Sequence, residues 1–443
     1  MTQDQTMPER IRAAGQPVPG TPVRRLTAGW NQAHGPANLR QHLARYGPLP
    51  SPGRHLTAMV TASGLTGRGG AAFPTGAKMR SVAAGRGPKV VVVNGMEGEP
   101  ASEKDQALLA RAPHLVLDGA VLAAAAVGAG TVHICLERGR YQQIDEVTRT
   151  VRERERAGFG TVRLEVHDLP ARYVSSEETS LVRWLNGGDA RPVLTPPRPS
   201  DRGVQRRPTL VDNVETLAHV ALIARFGPDW FREAGAADIP GSMLVTISGD
   251  VTCPGVYEVE TDTPIGEVLT LANAAADAET VLLGGYGGTW QRISRVASLP
   301  LTPAGLRSAG ASPGAGVLVV LPATSCGISE TARILGYLAG QSAQQCGPCR
   351  SGLPAIADDF AQLALGRPDR DAVRRLRRRL GVIPGRGACG HPDGAVRLAA
   401  SALTAFADDL KDHVARHPCR AAQRGPRGTV FPVPRREGAG DWR

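Results

Sequence analysis

The chain has 443 residues, of which 42% are hydrophobic and 21% are charged, a balance typical of a globular protein with two or three domains. The net charge is +11, but only 4% of the residues are aromatic and no recognition motif accompanies the charge, so we expect no nucleic-acid partner. The chain starts with a polar stretch and has seven cysteines, an odd number. We therefore expect no secretory signal and no disulfide framework, but a cytoplasmic protein with a metal or redox site.

The longest apolar stretch, residues 115–136, does not have the pattern of a membrane span. It carries Asp118 and is interrupted by Gly128 and Gly130, which are unfavourable in a continuous apolar helix of that length. It predicts a buried helix followed by a strand. We expect a protein that is not integral to a membrane, and that reaches one only peripherally through a partner complex.

In chain order, the hydrophobic pattern first predicts a loose Pro/Gly/Arg-rich arm that either wraps the domain or stays mobile, and then an α/β domain. Valine-rich runs without polar alternation predict strands covered on both faces, as in a parallel sheet. The predicted strands of this domain are 89–93, 131–135 and 162–166. The predicted helices are 103–127, 141–157, 176–186 and 211–226.

The pattern changes after Pro240. A hairpin over 243–259, a helix over 264–275 and a strand at 281–283 predict a small β-rich module, and helical periodicity follows. The predicted helices of this last part are 328–340, 353–364, 370–380 and 394–415. The expected segments are 1–54 (arm), 55–240 (α/β domain), 241–325 (β-rich module), 326–417 (helical domain) and 418–443 (disordered tail).

The densest local motif is GLTGRGGAAFPTGAK at residues 64–78, with five glycines in its first thirteen residues. Glycines expose backbone N–H groups to a phosphate, and Arg68 and Lys78 offer positive charge. The spacing matches neither a P-loop nor a dinucleotide fingerprint. The motif predicts an anion-binding loop, and a flexible surface loop is the alternative.

Three further polar clusters stand where a strand ends or a helix begins. They are NGMEGEP at 94–100, YVSSEETS at 173–180 and PTLVDNVET at 208–216. The first follows a predicted parallel strand, at the edge where open α/β sheets bind ligands. Taken singly, each is also typical of a capped helix start.

The four blocks together, in this order, resemble the flavoprotein (NADH-binding, 51-kDa-type) subunit of bacterial NADH:quinone oxidoreductase, which also occurs in NAD-linked hydrogenases and formate dehydrogenases. The resemblance covers roughly residues 55–417. It implies an α/β fold with a parallel-sheet FMN-binding domain, a small β-grasp module and a C-terminal helical iron–sulfur domain.

The resemblance also implies an FMN site and NADH as substrate. It implies no catalytic acid–base residue, because hydride passes directly from nicotinamide to flavin. The implied cofactor-binding residues are Gly67, Arg68, Gly69, Gly70, Phe73, Lys78, Asn94, Glu97, Tyr173, Ser176, Glu177, Glu178, Asp212 and Asn213.

Departures from the family pattern concentrate on the nicotinamide side. Ala72 replaces a glycine, Met79 a tryptophan, Met96 an aspartate and Ser81 an aromatic residue. Phe73 remains as a stacking ring. FMN binding is thus better supported than NADH binding, and another nucleotide or a reduced ferredoxin is the alternative donor.

The cysteine pattern predicts a metal centre. Cys346 and Cys349 form a CxxC motif and Cys389 lies forty residues further on, so the resemblance implies a [4Fe–4S] cluster. Ala343 stands where the family has its first cysteine. We predict Cys326 as the fourth ligand, with His391 as the alternative. A zinc site of three cysteines and His391, or an empty site, also stays open.

The function expected from this resemblance is that of an NADH dehydrogenase-type oxidoreductase, which passes electrons through FMN to an iron–sulfur centre and then to a partner subunit or ferredoxin. One alternative is a degenerate, non-catalytic assembly or ligand-binding subunit. Another is a ferredoxin-linked flavoprotein that does not use NADH.

Overall fold

The computed structural model describes residues 24–30, 35–160, 162–421, 429–434 and 442–443. Four parallel strands of the described chain form a first sheet in the order β3-β2-β1-β4. Residues 90–93 of β1 are fully buried, as expected for a strand covered on both faces. The strands are β1 (Lys89–Gly95), β2 (Ala129–Glu137), β3 (Arg163–Leu169) and β4 (Thr209–Asn213).

Helices cover this sheet. Two of them cross so closely that a Cβ at Gly119 would lie 1.8 Å from the Leu217 carbonyl oxygen, so glycine is required at that crossing. The buried Asp118 beside it is neutralised by Arg154 at 2.7 Å. The helices are α1 (Leu39–Tyr46), α2 (Leu56–Ser63), α3 (Thr75–Ala84), α4 (Lys104–Arg111), α5 (Pro113–Val127), α6 (Tyr141–Arg156), α7 (Glu178–Leu185) and α8 (Val214–Arg232).

The helix predicted over 103–127 is in fact two helices, α4 and α5. Pro113 has no backbone N–H and disfavours helical geometry at the residue before it, and Ala112 has φ −136° and ψ 50°. The two helices meet at 96°. Taken together, the two helices have the length and composition of a membrane-spanning segment. No single helix in the described ranges is long and apolar enough to cross a membrane.

The next sheet has the strand order β6-β5-β9-β7-β8 among the described residues. Strands β5 and β9 are parallel, and the other neighbours are antiparallel. The predicted hairpin corresponds to β5 and β6. The elements are β5 (Ser242–Gly249), β6 (Gly255–Glu260), α9 (Ile265–Leu271), β7 (Thr280–Leu283), β8 (Thr289–Arg292) and β9 (Val317–Leu321). One-turn helices lie at Pro199–Arg202, Ile293–Val296 and Pro303–Leu306.

The C-terminal part is helical. The helix predicted over 394–415 breaks at Phe406, which has φ −112° and ψ 35° and whose ring occupies the space that a Cβ at Gly327 would need. Packing of this ring into the core therefore overrides the continuous helical pattern. The helices are α10 (Gly327–Gly340), α11 (Leu353–Ala364), α12 (Ala372–Val382), α13 (His391–Ala405) and α14 (Ala407–Ala415).

The prediction of a disordered tail is wrong for those of its residues that the structure describes, whereas the described part of the predicted arm packs on the domain, which is one of its two predicted alternatives. Leu26 is buried, and its backbone N–H donates to the Glu258 carboxylate at 3.0 Å. Phe431 packs against Trp290, and Trp442 is buried. The remaining parts of these two predictions, at 1–23, 31–34, 422–428 and 435–441, lie outside the described residues.

Candidate functional site

The polar clusters of the first domain meet at one edge of its sheet. Strand β1 ends at Asn94-Gly95 and β4 ends at Asp212-Asn213, and the register pairs Asn94 with Asn213. Because both strands are parallel, their carboxyl ends point to the same edge, which is where open α/β sheets bind ligands. The sequence-predicted residues of these two blocks are therefore neighbours.

The glycine-rich loop lies against this edge. The backbone N–H of Gly67 donates to the Phe73 carbonyl at 2.8 Å, which closes the loop at its base. A Cβ at Gly69 would lie 3.5 Å from Asn213 Cβ, so the loop backbone approaches the strand end closely. Gly70 has φ +105°, a conformation that favours glycine. Phe73 is 43% exposed at the loop and offers a ring for stacking.

Arg68 differs from its predicted role. Its guanidinium is buried and donates to the carbonyl oxygens of Ser242 at 3.2 Å and Pro240 at 3.0 Å. Another nitrogen of the Arg68 guanidinium, Nη1, donates to the Thr66 hydroxyl oxygen at 2.8 Å. The guanidinium therefore joins the loop to the second sheet, and the prediction that it neutralises a cofactor phosphate is wrong. Its backbone N–H donates to Thr216 Oγ1 at 2.9 Å.

Lys78 lies at the same strand edge. Its Nζ donates to the Val211 carbonyl at 2.7 Å and lies 3.5 Å from carboxylate oxygens of Asp212 and Glu178. Burial by itself lowers the pKa of Lys78, but Asp212 and then Glu178 more than offset it, so the pKa is raised. The second oxygen of Asp212 is buried without a hydrogen-bond partner. The Lys78 ammonium group and an Asp212 oxygen without a hydrogen-bond partner therefore lie next to each other.

A buried ionic network that the sequence analysis did not assign supports Asn213. Asn213 Nδ2 donates to Asp105 Oδ2 at 2.6 Å, and Lys104 Nζ contacts Asp105 at 2.6 Å and Glu215 at 2.9 Å. Burial lowers the pKa of Lys104, but the two carboxylates outweigh it and the pKa is raised. In the sequence, the signal for this network is that the charged residues Lys104, Asp105 and Glu215 stand at the starts of otherwise apolar predicted helices.

Glu97 and Glu99 occupy the turn after β1. The Glu97 carboxylate accepts from the backbone N–H groups of Asp105 at 3.0 Å and Gln106 at 2.9 Å, so it caps α4. Burial and then the nearby Asp105 raise the pKa of Glu97 to about 7. Glu99 accepts from the Tyr173 hydroxyl at 3.2 Å, and burial raises its pKa to about 7 as well.

Residues 173–178 form the opposite wall of the site. The Ser176 carbonyl accepts from Asn94 Nδ2 at 2.8 Å, and a Cβ at Gly98 would lie 2.6 Å from Ser176 Oγ. Glu177 is the N-cap of α7 and accepts from the Thr179 backbone at 2.9 Å. The capping interpretation of this motif is correct, and it places Tyr173 and Ser176 beside the strand edge.

A cavity of about 280 Å³ lies between these walls and the helical domain. Gly69, Tyr173 and Ser176 line one side, and residues 389–397 line the other. A Cβ at Gly394 would lie 3.0 Å from Gly287 Cα, so the wall there requires glycine. The volume is close to the lower end of ligand pockets, about 300–1,000 Å³. Asn94, Asp212 and Asn213 lie at the strand edge beside the loop and are not among the lining residues. Together with the exposed loop backbone, they offer the donors and acceptors that a hydrogen-bonding ring with an anionic tail would need.

Three cysteines lie in this part of the helical domain, and one of them, Cys389, lines the cavity. Cys349 lies in the turn Pro348–Gly352 that leads into α11, and Cys389 lies just before α13 and lines the cavity. Burial and then the neighbouring Cys346 raise the pKa of the Cys349 thiol to about 12, and Cys389 adds to the effect. Burial also raises the pKa of Cys389 to about 11. Cys346 and Cys389 are both close enough to act on the Cys349 thiol, but the three sulfur atoms are not all within 4.8 Å of one another. They lie in one region, as the cysteine donors of a multinuclear iron–sulfur cluster do.

The predicted fourth ligand, Cys326, is wrong. It is the N-cap of α10, whereas Cys346 and Cys349 follow the other end of this helix. A helix of 14 residues is about 21 Å long at ~1.5 Å per residue. Ala343, which replaces the family cysteine, is buried with Val174 and Trp442.

His391, the alternative fourth ligand, is also engaged by the protein. Its Nε2 lies 2.9 Å from the Leu338 carbonyl, and burial lowers its pKa to about 4. Its Nδ1 is buried without a hydrogen-bond partner. The ring contacts Tyr173 at a centroid distance of 5.3 Å, so His391 links the cysteine region to the cavity wall.

Met79 and Met96 do not lie where a nucleotide could contact them. Both are fully buried in hydrophobic cores. At these two departures from the family pattern the methionine side chains therefore contribute to core packing. Ala72, by contrast, has φ +50°, the left-handed conformation that favours the glycine of the family.

The fold and site together define a class: an electron-transfer flavoprotein with a thiolate-bound metal centre next to its cofactor cavity. The Nuo51 FMN-binding domain matches residues 60–222, and the NADH-ubiquinone oxidoreductase-F iron-sulfur binding region matches residues 329–413. The F subunit of the NADH-quinone oxidoreductase of Streptomyces coelicolor is 32% identical over 376 residues, which cover 82% of this chain and 84% of the relative.

One of the F subunits of the same enzyme in Rhizobium meliloti, numbered 2, is 30% identical, and the match covers 90% of this chain and 96% of the relative. A crystal structure of an NAD⁺-reducing [NiFe]-hydrogenase in the H₂-reduced state matches with a TM-score of 0.80 at 29% identity, over 90% of this chain and 68% of that chain. The chain belongs to the family of NADH-quinone oxidoreductase F subunits. The predicted family, fold class, FMN and iron–sulfur cofactors and NADH dehydrogenase type of activity are confirmed.

Proposed function

We propose that this chain transfers electrons from NADH to a partner subunit, with FMN and an iron–sulfur centre held by three cysteine thiolates as its bound cofactors. The observation that carries this proposal is the shared cavity, which Tyr173 and Ser176 line on one side and Cys389 on the other. Two redox groups must lie close together for electrons to pass, and this cavity joins the wall of the proposed flavin site to one of the three cysteines, Cys389. When bound, FMN would accept one hydride, which carries two electrons, and would supply these electrons one at a time to the next carrier.

The residues proposed to hold FMN act by binding and orientation. The backbone N–H groups of Gly67–Gly70 and the Lys78 ammonium group would face the anionic tail of FMN. The N–H groups carry partial positive charge and Lys78 a full one, and the glycines leave room for a close approach. The Asn94 and Asn213 amides are fixed by Ser176 and Asp105, so they would present defined donors and acceptors to a ring. Tyr173, Glu177 and Glu178 would complete the wall.

The iron–sulfur centre is proposed to have three protein thiolates, from Cys346, Cys349 and Cys389. A [4Fe–4S] cluster normally takes four cysteines, and the buried Ala343 offers no ligand. One iron position is then without a cysteine ligand. Thiolate ligation requires reduced cysteines, so we place the chain in the cytoplasm, peripheral to a membrane through its partner subunits.

Anaerobic titration tests the donor. We expect NADH to bleach the flavin absorbance of the purified chain, and NADPH serves as the comparison. If reduced ferredoxin bleaches the flavin and neither nucleotide does so, the NADH assignment fails while the flavin assignment stands. A colourless preparation that cannot be reconstituted with FMN overturns the whole proposal.

The Ala343→Cys variant tests the three-thiolate centre. Restoring a fourth cysteine is expected to raise the iron content by about one atom per chain, because it completes the Cys₄ set. Iron and acid-labile sulfide analysis, with electron paramagnetic resonance of the cluster, would measure it. Equal iron content and identical spectra in wild type and variant contradict the proposal. Stoichiometric zinc in place of iron supports the assembly-subunit alternative.

A further inference from the structure

A second group of metal-ligating side chains lies in the helical domain, away from the three-cysteine centre. It consists of Cys326, His413 and Cys419, whose ligand atoms all lie within 4.8 Å of one another. Cys326 Sγ and His413 Nε2 are 3.2 Å apart. The three residues come from the N-cap of α10, from the last turn of α14 and from the segment that follows α14.

We propose that these three residues bind a structural Zn²⁺ ion. Zinc favours tetrahedral sulfur and nitrogen ligands, and ligand atoms on one tetrahedral zinc lie roughly 3.5–3.8 Å apart given Zn–S of about 2.3 Å and Zn–N of about 2.0–2.1 Å. The observed spacing is compatible with that geometry after small side-chain adjustments. Two thiols and an imidazole are also the donor types that select zinc over calcium or magnesium.

Burial favours a structural ion over a catalytic one. Cys326, His413 and Cys419 are 2%, 4% and 1% exposed, so the site is closed to substrate. Structural zinc sites are closed in this way, whereas catalytic sites keep an open position.

Asp409 is the candidate for a fourth ligand, although its carboxylate oxygens do not lie within 4.8 Å of all three other ligand atoms and its side chain would have to turn towards them. It lies four residues before His413 on α14, and side chains at this spacing share a helix face. Its Oδ1 is buried without a hydrogen-bond partner, which is costly unless the atom is coordinated. It lines a cavity of about 60 Å³ together with Ser325 and Arg420, the residues adjacent to the two cysteines.

The site is independent of the proposed electron-transfer centre. Cys326 caps the start of α10 and the CxxC motif follows its other end, and the helix between them is about 21 Å long at ~1.5 Å per residue. An ion here would tie the start of α10, just after β9, to the end of α14 and to the segment that contains Cys419. It would therefore fasten the C-terminal segment to the helical domain without contact to the flavin cavity.

Metal analysis of the full chain, purified with its FMN and iron, tests the proposal. We expect about one zinc per chain and an X-ray absorption spectrum with two sulfur neighbours and two nitrogen or oxygen neighbours, one of them the His413 imidazole. Cys326→Ser keeps an N-cap acceptor for α10 and removes a thiolate, and His413→Gln removes the imidazole. Each is expected to weaken zinc binding at least about tenfold, since loss of even an outer-shell partner costs that much. Asp409→Asn is expected to weaken it less.

Cys253→Ser is the matched control, because Cys253 is an exposed cysteine. It should leave the zinc content unchanged, and FMN and iron contents should stay unchanged in all four variants. Should a variant not fold, Co²⁺ exchange into the wild-type chain must give thiolate-to-metal charge-transfer absorption. A zinc-free wild type with normal FMN and iron overturns the proposal. So does zinc that survives Cys326→Ser but is lost in Cys346→Ser, or a Cys326–Cys419 disulfide found by mass spectrometry.

Discussion

The flavin edge and the cysteine region are built in different ways. At the strand edge, charged residues hold one another: Lys104 contacts Asp105 and Glu215 at 2.6 and 2.9 Å, and Asn213 depends on Asp105. In the cysteine region the ligands lie in turns next to helices, and the replaced ligand position, Ala343, packs with Val174 and Trp442. A coupled ionic network fixes several residue types at once, whereas an apolar contact can fill the place of one lost thiol.

Among the tests of this contrast between the two regions, we expect the largest effect from Cys349→Ser. This variant removes one of the three thiolates, in addition to the one that Ala343 already replaces. We expect it to abolish iron binding, because too few protein ligands remain. FMN content should be retained, since the flavin edge uses none of the thiols. Iron, sulfide and FMN assays per chain measure both. Cys253→Ser is the control, and loss of FMN in proportion to iron would show that the two regions are not separable.

Lys104→Met tests the ionic network. It leaves Asp105 and Glu215 as uncompensated buried carboxylates, which should cost about 3–5 kcal/mol of unfolding free energy and displace Asn213. Urea denaturation and FMN affinity measure the two effects. Lys411→Met is the matched control: Lys411 is also paired, with Asp408 at 2.9 Å, but it is 77% exposed, so a change of at most ~1 kcal/mol is expected. Equal losses in both variants would refute the role of burial.

The dependence of the unfolding free energy on pH should reflect the titration of Glu99, the carboxylate that joins Tyr173 to the second sheet. Burial raises its pKa from 4.5 to about 7 in the folded chain, so the folded state binds the proton more tightly than the unfolded state. The stabilisation is therefore complete below pH 4.5 and is lost as pH rises towards 7. Relative to Glu99→Gln, wild type should lose up to about 3 kcal/mol over this range.

Denaturation of both chains at several pH values measures that difference. Glu260→Gln is the control: among the described residues, this carboxylate of β6 accepts a hydrogen bond from the Gly235 backbone N–H at 3.3 Å. A flat difference between wild type and Glu99→Gln would mean that Glu99 stays ionised in the folded chain.

The order of blocks along the chain is enough to predict the family and the sheet edge, because parallel strands bring their carboxyl ends together whatever the details between them. Ligand pairing is less predictable. Cys326 lies only twenty residues before Cys346, yet a helix separates them, and the sequence distance hides this. Arg68 looks like a phosphate ligand because of its charge, and only the position of the Ser242 and Pro240 carbonyls shows its other role. Burial of Phe431 likewise depends on tertiary contacts that no local pattern carries.

The smallest expected effect concerns Ala72, where the flavin edge itself departs from the family. Its φ of +50° places an alanine Cβ in the left-handed region, which costs roughly 1–2 kcal/mol per residue relative to the right-handed one. Ala72→Gly removes that strain but adds freedom to the unfolded chain, which costs about 0.4–1 kcal/mol. A net stabilisation of about 0.5–1 kcal/mol is therefore expected.

Denaturation of the Ala72→Gly chain tests this value, with Ala71→Gly at the neighbouring exposed position as the control. Ala71 is not among the non-glycine residues with positive φ, so its replacement relieves no strain and should destabilise. Because the loop backbone is part of the proposed FMN cradle, relief at position 72 should also tighten FMN binding slightly, and the control should not. Destabilisation in both variants would show that the loop accommodates Ala72 without strain, and that the flavin edge tolerates substitution as readily as the cysteine region does.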